Sequence, residues 1–166
     1  MGARISCCEL FTYAVDDASI HLPLSELDRS TGHIHGRLEV TIGEQVLPHM
    51  GFFGPNDVCL NTWVEELSKV SHLLGRSTTA SYVFDEGEQG QPAFEFRREG
   101  DILLLSVKDS PLSGASGDSS FQMVSCRWSE FLSETEKFLE TLRRVVVAES
   151  PRVGATWWSE HALRPA

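Results

Sequence analysis

Residues 33–42, HIHGRLEVTI, alternate along their length: Ile34, Leu38, Val40 and Ile42 fall on one side of a two-residue repeat, and His33, His35, Arg37, Glu39 and Thr41 on the other. That period is the pleat of a β-strand with one face in a core and the other in water. Gly43-Glu44 offers a turn into a short partner, Val46-Leu47, closed by Pro48, so a hairpin is expected. Toward the N-terminus, Leu10, Phe11, Tyr13 and Val15 mark the start of another strand.

From about Asp57 the period changes. Leu60, Trp63, Val64, Leu67, Val70 and Leu74 recur at three and four residues, the apolar stripe of an amphipathic helix, with Gly75 placed to end it. Glu65 and Lys69 pair on its wet side, and Asp57 or Asn61 is a candidate cap for its start. Beyond it, residues 81–85, 93–98, 102–107 and 121–128 read as strands separated by turn signals. Residues 129–148 form a second helix, with Phe131, Thr135, Phe138, Leu139, Leu142, Val145 and Val146 on one face. Ser133 and Glu136 have capping-box spacing, and Pro151 prevents continuation. Strands joined by short turns pair antiparallel. The expected fold is therefore α+β: one antiparallel sheet of five to seven strands with two helices packed on one face. All of residues 1–166 belong to a single domain in this reading, with 109–120, DSPLSGASGDSS, as a mobile loop and 152–166 as a C-terminal tail.

Composition narrows the class. A hydrophobic fraction of 41% and a charged fraction of 23% are those of a globular protein, and no window is apolar for the roughly 18 residues of a membrane span. Ser6, Cys7, Cys8 and Glu9 interrupt the N-terminal stretch, so no export signal is expected, and the four cysteines (Cys7, Cys8, Cys59, Cys126) form neither a disulfide framework nor a CxxC pair. Reduced thiols in a bacterial cytoplasm fit this usage, as does the low lysine count, only Lys69, Lys108 and Lys137. Met1-Gly2 followed by Ser6 matches the myristoylation pattern, with Cys7-Cys8 beside it, but the strand-like sequence that follows ties this terminus into the fold. The formal charge is −10, and residues 1–100 carry fifteen acidic against seven basic side chains. Such a surface repels phosphate backbones and allows a basic protein partner.

His33-x-His35 places two imidazoles on the same side of a strand, but a metal site needs a third ligand and no CxxC or HxxxH accompanies the pair. Two solvated histidines are expected there, and no metal. Cys59, at the start of a helix, and Cys126, within a strand, read as packing residues. There is no nucleophile elbow, no phosphate-cradling loop and no nucleotide motif, so no catalytic residue and no cofactor are expected. The features left over are acidic turns and a tryptophan pair: Asp16, Asp17, Asp85, Glu86, Glu88, Trp157 and Trp158 are the candidate partner-binding residues.

Over most of the chain, from about Thr12 to Glu149, the layout resembles the small acidic immunity proteins that bacteria encode beside polymorphic toxins. The resemblance is carried by the order of GRLEVTIGEQVL (36–47), LNTWVEELSKVSHLL (60–74), QPAFEFRREGDILLLSV (91–107) and VSCRWSEFL (124–132). It implies a cytoplasmic, non-catalytic protein-binding module that neutralises a cognate toxin by covering its active site, as monomer or homodimer, without nucleic acid or membrane. The alternatives are an acidic secretion chaperone and an enzyme whose site is assembled from scattered polar residues.

Overall fold

The computed structural model describes residues 2–87 and 90–162. It is an α+β structure in which every strand pairing is antiparallel, and the strands divide between two sheets instead of forming one. In the first sheet β1 (Ala3–Ala14) and β3 (Ser30–Ile42) form a long pair. The two-residue strand β2 (His21–Leu22) lies on the far side of β1, and β4 (Gln45–Val46) and β5 (Val58–Cys59) pair with β3. The second sheet is a meander of β6 (Thr79–Phe84), β7 (Ala93–Glu99), β8 (Ile102–Lys108) and β9 (Val124–Arg127).

The alternation in residues 33–42 appears as expected. Ile34, Val40 and Ile42 are fully buried and Leu38 nearly so, while the odd-numbered positions face outward. Helix α1 (Leu60–Gly75) buries its whole apolar stripe and packs on β3, β6 and β7, so it touches both sheets. Helix α2 (Trp128–Glu149) packs on β1, β8 and β9 and buries Phe131, Phe138, Leu142 and Val146. Because both helices reach both sheets, one continuous core runs from Ile34 through Trp63 and Phe96 to Phe131. The two sheets therefore share one hydrophobic core.

Helix starts differ from the sequence-based expectation. Neither Asp57 nor Asn61 caps α1; Cys59 occupies the N-cap position. Asn61 instead accepts the Ile34 N–H on Oδ1 (2.9 Å) and donates Nδ2–H to Gly32 O (3.1 Å), locking the helix onto β3. The Ser133–Glu136 capping box is not used, because α2 already begins at Trp128 and both residues lie inside it; at its start Asp101, in the β7–β8 turn, receives the Trp128 N–H on its carbonyl (2.8 Å) and the Ser129 N–H on its carboxylate (3.3 Å). Glu65 and Lys69 pair at 2.6 Å as expected. Glu66 is nevertheless buried, receiving Lys69 Nζ–H (2.9 Å) and the Tyr82 hydroxyl (2.5 Å).

Segments 109–120 and 152–162 make specific contacts with the rest of the fold. Ser110 is buried and donates its hydroxyl to Asp85 Oδ1 (2.7 Å), Ser113 donates to Gln91 O (2.6 Å), and the Gly117 N–H is held by Asp109 Oδ1 (2.7 Å). The tail forms a third helix, α3 (Gly154–His161). It crosses α2 so closely that a Cβ on Gly154 would stand 2.5 Å from Val146 O. No helix among the described residues is long and apolar enough to cross a membrane.

Candidate functional site

The outer face of the first sheet carries side chains that the linear sequence scatters. Antiparallel pairing sets Phe11 opposite His35 on one side and Cys59 opposite His35 on the other, and it sets Tyr13 opposite His21. Cross-strand neighbours on one face touch, so these residues form a single strip. Phe11 and His21 stack at 4.0 Å, Tyr13 meets His35 edge-on at 4.9 Å, and His33 lies two residues along the strand from His35.

A β-bulge puts the aromatics there. Between Cys8 and Phe11 strand β1 advances three residues while β3 advances two, from Arg37 to His35, with Glu9 at φ +54°. Before the bulge Ile5 and Cys7 turn inward beside Val40 and Leu38; after it Thr12 turns inward beside Ile34. A one-residue slip exchanges the two faces of a strand, so Phe11 and Tyr13 are aimed at the outer face. Gly36 permits the bulge: a Cβ there would stand 3.0 Å from Cys8 O and 2.8 Å from Leu10 Cδ2.

Asp57 organises the strip. Its Oδ1 lies 2.5 Å from His35 Nδ1, and its Oδ2 accepts a short hydrogen bond from the Tyr13 hydroxyl. A carboxylate can only accept, so His35 Nδ1 carries a proton, and in the neutral ring, the form that burial favours, Nε2 keeps its lone pair. Burial pushes the His35 imidazole below its ordinary value, an effect the Asp57 charge opposes. Burial and the adjacent carboxylate raise the Tyr13 phenol. Cys59 Sγ stands 3.9 Å from His33 Nδ1, and one donor atom each of His33, His35 and Cys59 lie within 4.8 Å of one another. Burial raises the Cys59 thiol, against hydrogen bonds from Thr62 and the Asn61 amide that favour its thiolate.

These groups floor a cleft of about 260 Å³ whose rim includes Phe52, Phe53 and Glu86. Phe52 and Phe53 are 48% and 72% exposed and pack edge-to-face at 4.6 Å. Their loop is tightly wound: the Gly54 N–H reaches Gly51 O (3.1 Å), the Asp57 N–H reaches Gly54 O (3.2 Å), and buried Trp63 donates Nε1–H to Met50 O (3.1 Å).

The sequence-derived candidates take different places. Asp85 and Glu86 follow β6, Glu86 on the cleft rim and Asp85 held by Ser110. Glu88 lies outside the described residues. Asp16 and Asp17 are exposed on the β1–β2 turn, where the Ser19 hydroxyl (2.6 Å) and amide (2.9 Å) hold Asp17 below the usual carboxylate range. Trp157 is only 5% exposed and donates Nε1–H to Gly32 O (2.9 Å), and Trp158 packs half-buried against the core, so this pair joins α3 to the fold. Sequence reasoning took Asp57 for a helix cap and Cys59 for a packing residue, and passed over Phe52 and Phe53. The adjacent phenylalanines between glycines 51 and 54 were the available signal. Comparison with protein-family models, with curated proteins and with solved structures finds no match.

Proposed function

We propose that the protein is a non-catalytic binding module of the immunity type, which neutralises a cognate toxin by covering its working surface. The observation that carries this reading is the pair Phe52–Phe53, held out from the molecule on a tightly wound loop beside Glu86. Aromatic side chains dominate interface energies when they enter a partner's pocket, and a loop already fixed by Trp63 loses little entropy on docking. Glu86 lines the same cleft as the pair, and Asp85 precedes it, on a chain of formal charge −10. Acidic residues around aromatic anchors suit a basic partner, speed encounter and select orientation.

The test is binding to the product of the adjacent gene, measured by surface plasmon resonance. Phe52→Ala and Phe53→Ala should each weaken the complex at least tenfold, chiefly through faster dissociation. Asp85→Lys with Glu86→Lys should slow association, with the deficit shrinking at high salt. Unaltered affinity in the double alanine variant, or association indifferent to ionic strength, overturns the reading.

A further inference from the structure

The floor of the cleft has a chemistry that partner binding does not require. We propose that His33, His35 and Cys59 form a Zn2+ site, with Asp57 as the orienting carboxylate behind His35 and the fourth coordination position open to the cleft. Two imidazoles and a thiolate are the donors zinc prefers, and they exclude the oxygen-seeking ions magnesium and calcium.

Geometry supports the assignment at each ligand. Bonds of about 2.3 Å to sulfur and about 2.0–2.1 Å to nitrogen, at tetrahedral angles, place ligand atoms about 3.3–3.6 Å apart. The Cys59–His33 separation of 3.9 Å is a few tenths longer, and the three donor atoms lie within 4.8 Å of one another, so binding draws them together by about 1 Å. Sheet pairing brings Cys59 directly opposite His35, which fixes both backbones. The ligands also have the partners that metal ligands need. His35 offers its Nδ1 proton to Asp57, which leaves Nε2 as the nitrogen able to ligate, and metal-bound histidines characteristically donate their second nitrogen to a carboxylate in this way. Tyr13 occupies the other Asp57 oxygen, which keeps that carboxylate turned to the imidazole and off the metal. Thr62 and the Asn61 backbone N–H, at the start of α1, hydrogen-bond the Cys59 sulfur and hold it in place.

Charge favours a cation as well. Zn2+ with one thiolate and two neutral imidazoles carries one net positive charge, and the carboxylates of Asp57 and Glu86 line the same cleft. Arg37 is turned away, paired with Glu39 at 2.7 Å. Binding forms one Zn–S and two Zn–N bonds, displaces water from the ion and releases the Cys59 thiol proton to solvent.

The experiment is titration of the reduced, chelator-treated chain with Zn2+ by calorimetry and with Co2+ by absorption spectroscopy. One equivalent should bind, and the Co2+ form should show a thiolate-to-metal charge-transfer band. Cys59→Ser should abolish that band, His33→Ala should weaken binding at least tenfold, and Asp57→Asn should weaken it roughly 10 to 100 fold. A readout free of variants guards against misfolding. One equivalent of Zn2+ should slow iodoacetamide labelling of Cys59 in the unaltered chain and leave exposed Cys8 at its original rate. No stoichiometric binding, a Co2+ complex without the band, a band that disappears in Cys8→Ser but persists in Cys59→Ser, or no protection of Cys59 overturns the site.

Discussion

Gly51→Ala and Gly75→Ala add the same methyl group to the same chain with opposite expected results. A Cβ on Gly51 would stand 2.3 Å from Gly54 O, 2.8 Å from Asp57 O and 3.1 Å from Val58 Cγ2. The two oxygens are main-chain atoms, so relief requires the turn itself to open by about 1 Å to restore ordinary contact, and overpacking of this kind costs about 1–3 kcal/mol. Opening the turn also draws on the Gly54–Gly51 and Asp57–Gly54 hydrogen bonds, which favours the upper part of that range. For a domain of this size about 1 kcal/mol moves Tm by about 2–4 °C, so a fall of about 4–12 °C is expected. Gly75, at the last position of α1, meets nothing within 4 Å, and alanine there should stabilise by about 0.5–1 kcal/mol. Differential scanning calorimetry of both variants, with urea midpoints as a second measure, separates the two. Because the strained turn carries Phe52, Phe53 and Asp57, Gly51→Ala should also weaken partner and Zn2+ binding, and Gly75→Ala should leave both intact. Equal Tm shifts in the two variants would refute the reasoning.

Trp157→Ala removes a buried indole and its hydrogen bond to Gly32 O, and should cost about 3–5 kcal/mol by urea unfolding; Trp158→Ala, at a half-buried position, should cost distinctly less. Burial pushes the Cys7 and Cys126 thiols up to about 12, so at pH 8 only about one in ten thousand of either is thiolate. Mass spectrometry after iodoacetamide should therefore find Cys8 labelled well before Cys7 or Cys126, and equal rates would contradict that burial. Tyr82, half-buried and bonded to Glu66, is raised from the ordinary 10.0 to about 12 and Tyr13 is raised as well, so the folded chain holds both phenolic protons where the unfolded chain releases them. Stability should accordingly fall as pH rises from about 10 to about 12, and tyrosinate absorbance should lag behind that of the urea-unfolded chain. Coincident titration curves would oppose both hydrogen-bond assignments. Gly36→Ala, which pushes a methyl group toward Cys8 O and Leu10, should destabilise by about 1–3 kcal/mol and weaken the Phe11–His21 stack, read as altered aromatic NMR shifts.

Most of the secondary structure was legible because it is written in short-range periods. Residues 33–42 and 60–74 show their two-residue and 3.6-residue repeats without reference to any other segment, and the structure buries those apolar positions. The acidic balance and the absence of a membrane-length apolar run are likewise properties of composition. The candidate site was only half legible. His33-x-His35 declared its shared face, but the third donor, Cys59, is 24 residues away and belongs to a two-residue strand too short to signal itself.

What the chain determines by itself is local: which residues turn inward along a strand or helix, where turns fall, and how much negative charge the surface carries. The partition into two sheets, the opposition of Cys59 to His35, the bulge that turns Phe11 and Tyr13 outward, and the burial of Trp157 and Glu66 are decided in three dimensions. The reason is physical. A side chain's own period depends on dihedral angles within a few residues, whereas register between strands is selected by the packing of the whole core, and a single inserted residue exchanges the faces of everything beyond it.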